Sequence, residues 1–189
     1  MCSVLMLWLP SIIATQDERS GSYPPLQIGD VSAPVGIELF IDLQCGAATA
    51  YLRKLKEFQK QRPAELFVTV RSFPISRHKN AAPAARAVEA AASQGKWLEM
   101  IELISDGVEA WREHERPVEV FSAYATKLGM DVKLFELEFD GAVVGNRMQM
   151  DLERARLLNV NGTPYILVNG YPTSYWDAQD LEAMISRTK

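Results

Sequence analysis

The chain has 189 residues, 48% of them apolar and 23% charged, with 20 Lys and Arg against 24 Asp and Glu and a net charge of −4. That is enough chain for one domain with its own core, and the acidic balance argues against a nucleic-acid groove or a polybasic membrane patch. Two cysteines, Cys2 and Cys45, and two histidines make neither a disulfide framework nor a zinc site.

Residues 1–14 carry no charge. The apolar run Val4-Leu5-Met6-Leu7-Trp8-Leu9, followed by Ile12-Ile13-Ala14, is shorter than the roughly 20 residues a bilayer span needs, so no stable membrane insertion is expected. It suits the apolar part of a secretory signal cleaved after Ala14, although no basic residue precedes it. The expectation is export to a periplasmic or extracellular, oxidising compartment; if residues 1–14 are no signal, the location is cytoplasmic. A Cys2–Cys45 bridge is not expected, because Cys2 falls in that segment. Residues 15–34, with Gly, Ser, Pro24, Pro25 and Pro34, read as linker, so that 1–22 is signal and linker and the domain runs over 23–189.

Residues 35–43 are nearly continuously apolar, the pattern of a buried central strand. From Gly46 to Gln61 the period becomes helical: Tyr51, Leu52, Leu55 and Phe58 share a face, Arg53, Lys54, Lys56 and Glu57 face water, and Pro63 stops the helix. Residues 66–73 form the next strand, ended by Pro74. Strand, helix and strand, with both strands apolar, predict a βαβ unit with a parallel pair. Helices are predicted at 81–94, with Pro83 in the first turn and Gly95 past the end, and at 96–105, 117–128, 131–139 and 142–158. In this helical region Trp97, Trp111, Met148 and Met150 read as packing groups. Residues 165–168, the turn Asn169-Gly170 and Tyr171 onward predict a β-hairpin. A last helix is predicted from Asp177, with Asp180 in its first turn and Leu181, Met184 and Ile185 facing inward.

Cys45 stands where the first predicted strand gives way to a helix. Unpaired amides and the positive end of the helix dipole favour an anion there, which for cysteine is the reactive thiolate. The dipole contributes only about 0.3–1 kcal/mol, so strong activation needs N–H bonds to the sulfur as well. The competing reading is a buried, inert cysteine. Gly162-Thr163-Pro164 immediately precedes the hairpin, and proline is permitted at a strand's first position.

Four signatures occur in order: Asp42-Leu43-Gln44-Cys45; Phe73-Pro74 with His78-Lys79-Asn80-Ala81; Ala90-Ala91-Ala92-Ser93-Gln94-Gly95-Lys96-Trp97; and the segment 160–170 containing Gly162-Thr163-Pro164-Tyr165. Together, over residues 35–185, they resemble the thioredoxin fold as elaborated in the DsbA-like thiol-disulfide oxidoreductases. The resemblance implies an α/β fold with a large helical insertion, about 76–159, between the βαβ half and the β-hairpin-α half. It implies that Cys45 is the attacking cysteine and that Gly162, Thr163 and Pro164 form a cis-proline loop that pairs with an extended substrate peptide. Phe40, Leu43 and Tyr165 would then border an apolar peptide groove. Disulfide-bearing proteins or peptides would be the substrates and a thiol-reducing protein the recycling partner, with no metal, no nucleic acid and no cofactor, glutathione being a candidate co-substrate.

The sequence departs from that family at Ala48, where the second cysteine of Cys-x-x-Cys would stand, and at Leu39, where many members carry a buried acid; Glu38 should point to the opposite face. Without an internal partner Cys45 cannot close an intramolecular disulfide. The leading expectation is therefore exchange on protein or glutathione disulfides by a single thiol. The alternatives are a redox-inactive peptide-binding or chaperone-like domain and a glutathione-dependent transferase or isomerase.

Overall fold

The computed structural model describes residue 21 and residues 24–175 and 177–188. The apolar stretch 1–14, its proposed cleavage site and Cys2 lie outside the described residues. Strand β1 (Leu26–Ile28) leads into β2 (Val35–Ile41), helix α1 (Gly46–Gln61) and β3 (Leu66–Ser72). Six helices follow: α2 (Ala81–Ala92), α3 (Trp97–Asp106), α4 (Val108–Trp111), α5 (Pro117–Lys127), α6 (Val132–Asp140) and α7 (Ala142–Leu157). The chain closes with β4 (Tyr165–Val168), β5 (Tyr171–Thr173), a single 3-10 turn at Asp177–Gln179 and α8 (Leu181–Thr188).

The sheet order is β1-β3-β2-β4-β5. The expected βαβ unit is present: β2 and β3 run parallel, Val35 beside Leu66 through Ile41 beside Ser72. On its other edge β2 pairs antiparallel with β4, Ile37 beside Val168 and Phe40 beside Tyr165. Every β2 residue but Glu38 is buried, because the strand is central and covered on both faces. Tyr51, Leu52 and Leu55 of α1 are 0–2% exposed, and the Tyr51 hydroxyl donates to the Ala178 carbonyl at 2.9 Å, tying α1 to the segment before α8. Phe40 and Leu167 pack with Ala155 of α7. In the helical layer Met100, Ile104, Trp111, Phe121 and Phe135 are fully buried, and α2 packs against α3, α5, α6 and α7. Alanines 84, 87, 90 and 91, each 0% exposed, let those helices approach it.

Several expectations need correction. Leu26–Ile28, read as linker, is an edge strand antiparallel to β3. Three residues are too few for a period to show, and the strand exists because β3 offers it an open edge. Gly29 ends it at φ +87°, where an added Cβ would lie 2.8 Å from the Leu66 carbonyl oxygen, so glycine is required both for the turn and for the close approach. The four-residue helix α4 was also invisible to a period-based reading. Asp180 does not sit in the first turn of the last helix; its carboxylate accepts the Ala183 amide at 2.9 Å, and α8 starts after it. Trp111 and Met148 are core, the Trp111 indole donating to the Ile104 carbonyl at 2.8 Å, whereas Met150 is 40% exposed and lies outside the core.

Glu38 faces α7, as strand alternation requires, while Leu39 on the other face is 0% exposed. The Glu38 carboxylate receives a two-pronged contact from Arg154, at 3.0 and 2.8 Å, and a third bond from Arg71 at 2.9 Å. Arg71 also meets Asp151 at 3.2 Å, and Asp151 accepts the Ser72 amide at 2.9 Å. This cluster bolts α7 to β2 and β3. Burial by itself would raise the Glu38 carboxyl, but the two guanidinium groups outweigh it and hold the carboxyl below its usual range.

Replacing Glu38 by Gln leaves two buried guanidinium groups, Arg71 and Arg154, short of counter-charge. The expected cost is about 3 kcal/mol at neutral pH by urea unfolding. Because the folded carboxyl is held down, its contribution is complete above about pH 4.3 and is lost as the pH falls through the folded value, so the gap between wild type and Glu38→Gln should close in acid.

Candidate functional site

Cys45 is the N-cap residue of α1, with extended backbone (φ −86°, ψ 101°). Its carbonyl accepts the amides of Ala48 at 3.0 Å and Thr49 at 3.1 Å, which starts the helix. The side chain makes no capping bond to the first-turn amides. Instead the Sγ–H donates to the carbonyl oxygen of Thr163, 118 residues away, at 3.2 Å. The sulfur at this helix terminus therefore meets a carbonyl oxygen rather than the first-turn N–H groups that the sequence argument called for.

The register explains the meeting. With Phe40 beside Tyr165 in an antiparallel pair, the chain leaving β2 runs alongside the chain entering β4, and Cys45 arrives beside Thr163. The Thr163–Pro164 peptide bond is cis. Cys45, Gly162, Thr163, Pro164 and Tyr165 are all partly exposed, and a Cβ added at Gly46 or Gly162 would meet no atom within 4 Å, so the surface beside the sulfur is open.

Two of the residues expected to border a groove are elsewhere. Phe40 is 0% exposed, in the cluster beneath α7, and Leu43 is 5% exposed in the main core, so neither can wall an open surface. The resemblance implied a groove there, but Phe40 belongs to a central strand covered on both faces, and Leu43, just past that strand, packs into the main core. Tyr165 remains at the surface, its ring edge-on to Phe40 at 6.1 Å and its hydroxyl donating to the Leu158 carbonyl at 3.3 Å. Ala48, at the expected second-cysteine position, is 0% exposed in the first turn of α1.

Sequence reasoning missed what holds the thiol turn in place. The Asp42 carboxylate, fully buried, accepts the amides of Gln44 and Ile75 at 2.7 Å each and meets His78 Nδ1 at 2.8 Å. Gln44 Oε1 accepts the Asn80 amide at 3.1 Å, and the Asn80 side chain donates to the carbonyls of Trp111 at 2.7 Å and His114 at 2.8 Å. The chain around Cys45 is thus stitched to the loop after β3 and, through Asn80, to the helical layer. The signal was present: Asp42 and Gln44 belong to one recurring signature and His78 and Asn80 to another. Their pairing is tertiary and had no local trace.

A family model described as Thioredoxin matches residues 22–187. The chain is 31% identical over 160 residues to a protein of Mycobacterium sp. (strain KMS) named Na(+)/H(+) antiporter NhaA 1, with 81% of this chain and 25% of that protein aligned. The chain therefore spans about a quarter of the length of the curated relatives it matches. Among solved structures it is similar to a thioredoxin-like oxidoreductase from Silicibacter pomeroyi DSS-3 (TM-score 0.72, 19% identity, 86% of this chain and 91% of that one). It is likewise similar to BdbD from Bacillus subtilis (0.73, 16%, 89% and 96%) and to alpha-DsbA1 from Wolbachia pipientis (0.75, 12%, 92% and 96%). At these identities the likeness concerns the fold.

Truncating Asp42 to Ala strips the acceptor from two amides and an imidazole. Urea unfolding should report a loss of about 3 kcal/mol, and Asp42→Asn, which keeps one oxygen, should lose about half of that. In both variants iodoacetamide should alkylate Cys45 faster than in wild type, since the turn that presses the sulfur against Thr163 is loosened.

Proposed function

The chain belongs to the thioredoxin family, and from that footing we propose that it carries out thiol–disulfide exchange through Cys45 acting alone, opposite the Thr163–Pro164 loop. The observation that carries the reading is the 3.2 Å contact between the Cys45 sulfur and the Thr163 carbonyl at an open surface. An extended peptide laid along Gly162, Thr163 and Pro164 would present its disulfide to the sulfur, with Tyr165 at the border of the docking surface.

Loss of the thiol proton gives the thiolate, which attacks one sulfur of a disulfide R–S–S–R′. The Cys45–S–S–R bond forms as the S–S bond breaks, and R′S⁻ leaves and is protonated. Because position 48 is alanine, the mixed disulfide is resolved from outside: a thiol R″SH attacks the R sulfur, R–S–S–R″ forms, and Cys45 is returned as thiolate. The cycle exchanges partners with no net oxidation. Its products are rearranged protein disulfides, or proteins freed of a glutathionyl cap when glutathione is R″SH. Disulfide-bearing proteins are then the substrates, glutathione or a reducing protein is the co-substrate, and an exported chain would meet them in an oxidising compartment.

Ala48, fully buried without disturbing α1, favours a second reading, in which the docking surface persists as a redox-inactive peptide-binding or chaperone-like module. Binding of glutathione at Pro164 with no action on protein disulfides would point instead to a glutathione-dependent transferase or isomerase.

In a Cys2→Ser background, incubating the reduced protein with oxidised glutathione should add one glutathionyl group, located by peptide mass at Cys45. Cys45→Ser should abolish both the adduct and exchange on a scrambled protein substrate. An unmodified Cys45, or a cellular effect that survives Cys45→Ser, would overturn the exchange reading in favour of the module. Ala48→Cys should restore a Cys-x-x-Cys pair, so that oxidation removes two hydrogens from the intact mass and the variant gains net dithiol oxidase activity.

A further inference from the structure

A cavity of about 590 Å³ lies where α2, α6 and the start of α7 meet the entry to β1, and it shares no lining residue with the Cys45 turn or the Thr163–Pro164 loop. Its volume is that of a site for a small organic molecule. Leu26, Trp97, Leu137, Val143 and Val144 make its wall largely apolar. Leu137 and Val143 are 72% and 73% exposed, an unusual exposure for large aliphatic groups that border a recess.

The polar part of the lining is small and unbalanced. The Glu89 side chain is 0% exposed; Oε2 takes the Arg147 Nε–H at 2.6 Å, while Oε1 is buried with no hydrogen-bond partner among the described residues. A carboxylate oxygen out of water costs a folded protein free energy unless a donor reaches it. Glu138, in the same lining, accepts the Ser93 hydroxyl. Arg147 is the one cation among the lining residues and is already engaged by Glu89, so two carboxylates face one guanidinium.

We propose that this cavity is a binding site for an amphiphilic primary amine, its apolar body against Trp97 and the aliphatic wall and its ammonium group donating to Glu89 Oε1. The ammonium supplies the donor that Oε1 lacks and offsets the surplus negative charge; a neutral alcohol would supply only the first, and a fatty acid neither. The proposal does not depend on the redox reading, since it uses none of the residues of the thiol site.

The test titrates the full chain with n-decylamine, following tryptophan fluorescence and heat of binding, with n-decanol and decanoate as controls. Saturable one-to-one uptake of decylamine is expected, with decanol about tenfold weaker and decanoate weaker still. Glu89→Gln should weaken decylamine about tenfold and leave decanol unchanged. Because Glu89→Gln could disturb the Arg147 pairing and folding, Ala92→Leu provides a second variant that narrows the cavity from α2 without touching that pair; it should weaken uptake of both decylamine and decanol while thermal unfolding stays cooperative. Equal binding of amine and alcohol, absence of saturable uptake, or uptake unchanged by Ala92→Leu would overturn the proposal.

Discussion

The antiparallel pairing of β2 with β4 is the constraint on which the thiol site depends. It joins segments separated by the whole helical layer, and it sets Phe40 beside Tyr165 so that the two chain ends beyond the sheet, Asp42–Cys45 and Gly162–Pro164, converge. A slip of one residue would turn every buried side chain of β4 to the wrong face, so the hydrophobic alternation that holds the sheet also holds the sulfur at 3.2 Å from the Thr163 oxygen. Core packing and placement of the reactive group are here one requirement.

Two carboxylates, one partly and one fully buried, serve that frame in different ways. Glu38, within β2, is paired with Arg71 and Arg154 and clamps α7 against the sheet. Asp42, just past the strand, is satisfied mainly by backbone amides and an imidazole, and clamps the turn that carries Cys45. A carboxylate removed from water is tolerated only when its oxygens find donors, so each is costly to disturb and each restrains geometry more narrowly than apolar packing would. Glu89 is the contrasting case, with one oxygen paired and the other without a donor among the described residues.

The thioredoxin frame is complete without the second cysteine. Ala48 occupies a fully buried position in the first turn of α1, and the helix starts normally on the Cys45 carbonyl. The fold and the Cys-x-x-Cys pair are therefore separable in this chain: the scaffold that brings Cys45 to Thr163 persists with alanine at position 48.

Long periodic elements and their punctuation were legible in the linear chain. The helix from Gly46 to Gln61 matches to the residue, and the hairpin around Asn169-Gly170 and the parallel pair around α1 are as expected, because amphipathic period, proline stops and turn residues are local properties. The order of the signatures around Cys45 and Pro164 likewise identified the scaffold before any contact was known. What the linear chain could not carry was everything decided by a neighbour distant in sequence. β1 exists because β3 has a free edge. Phe40 is core because both faces of the sheet are covered, and Leu43 because the turn after β2 folds against the main core. Asp42 and His78 meet because the loop after β3 folds back on the Cys45 turn. Local preference selects an element, but burial and pairing depend on which surfaces the assembled layers leave open, and that is a property of the tertiary structure alone.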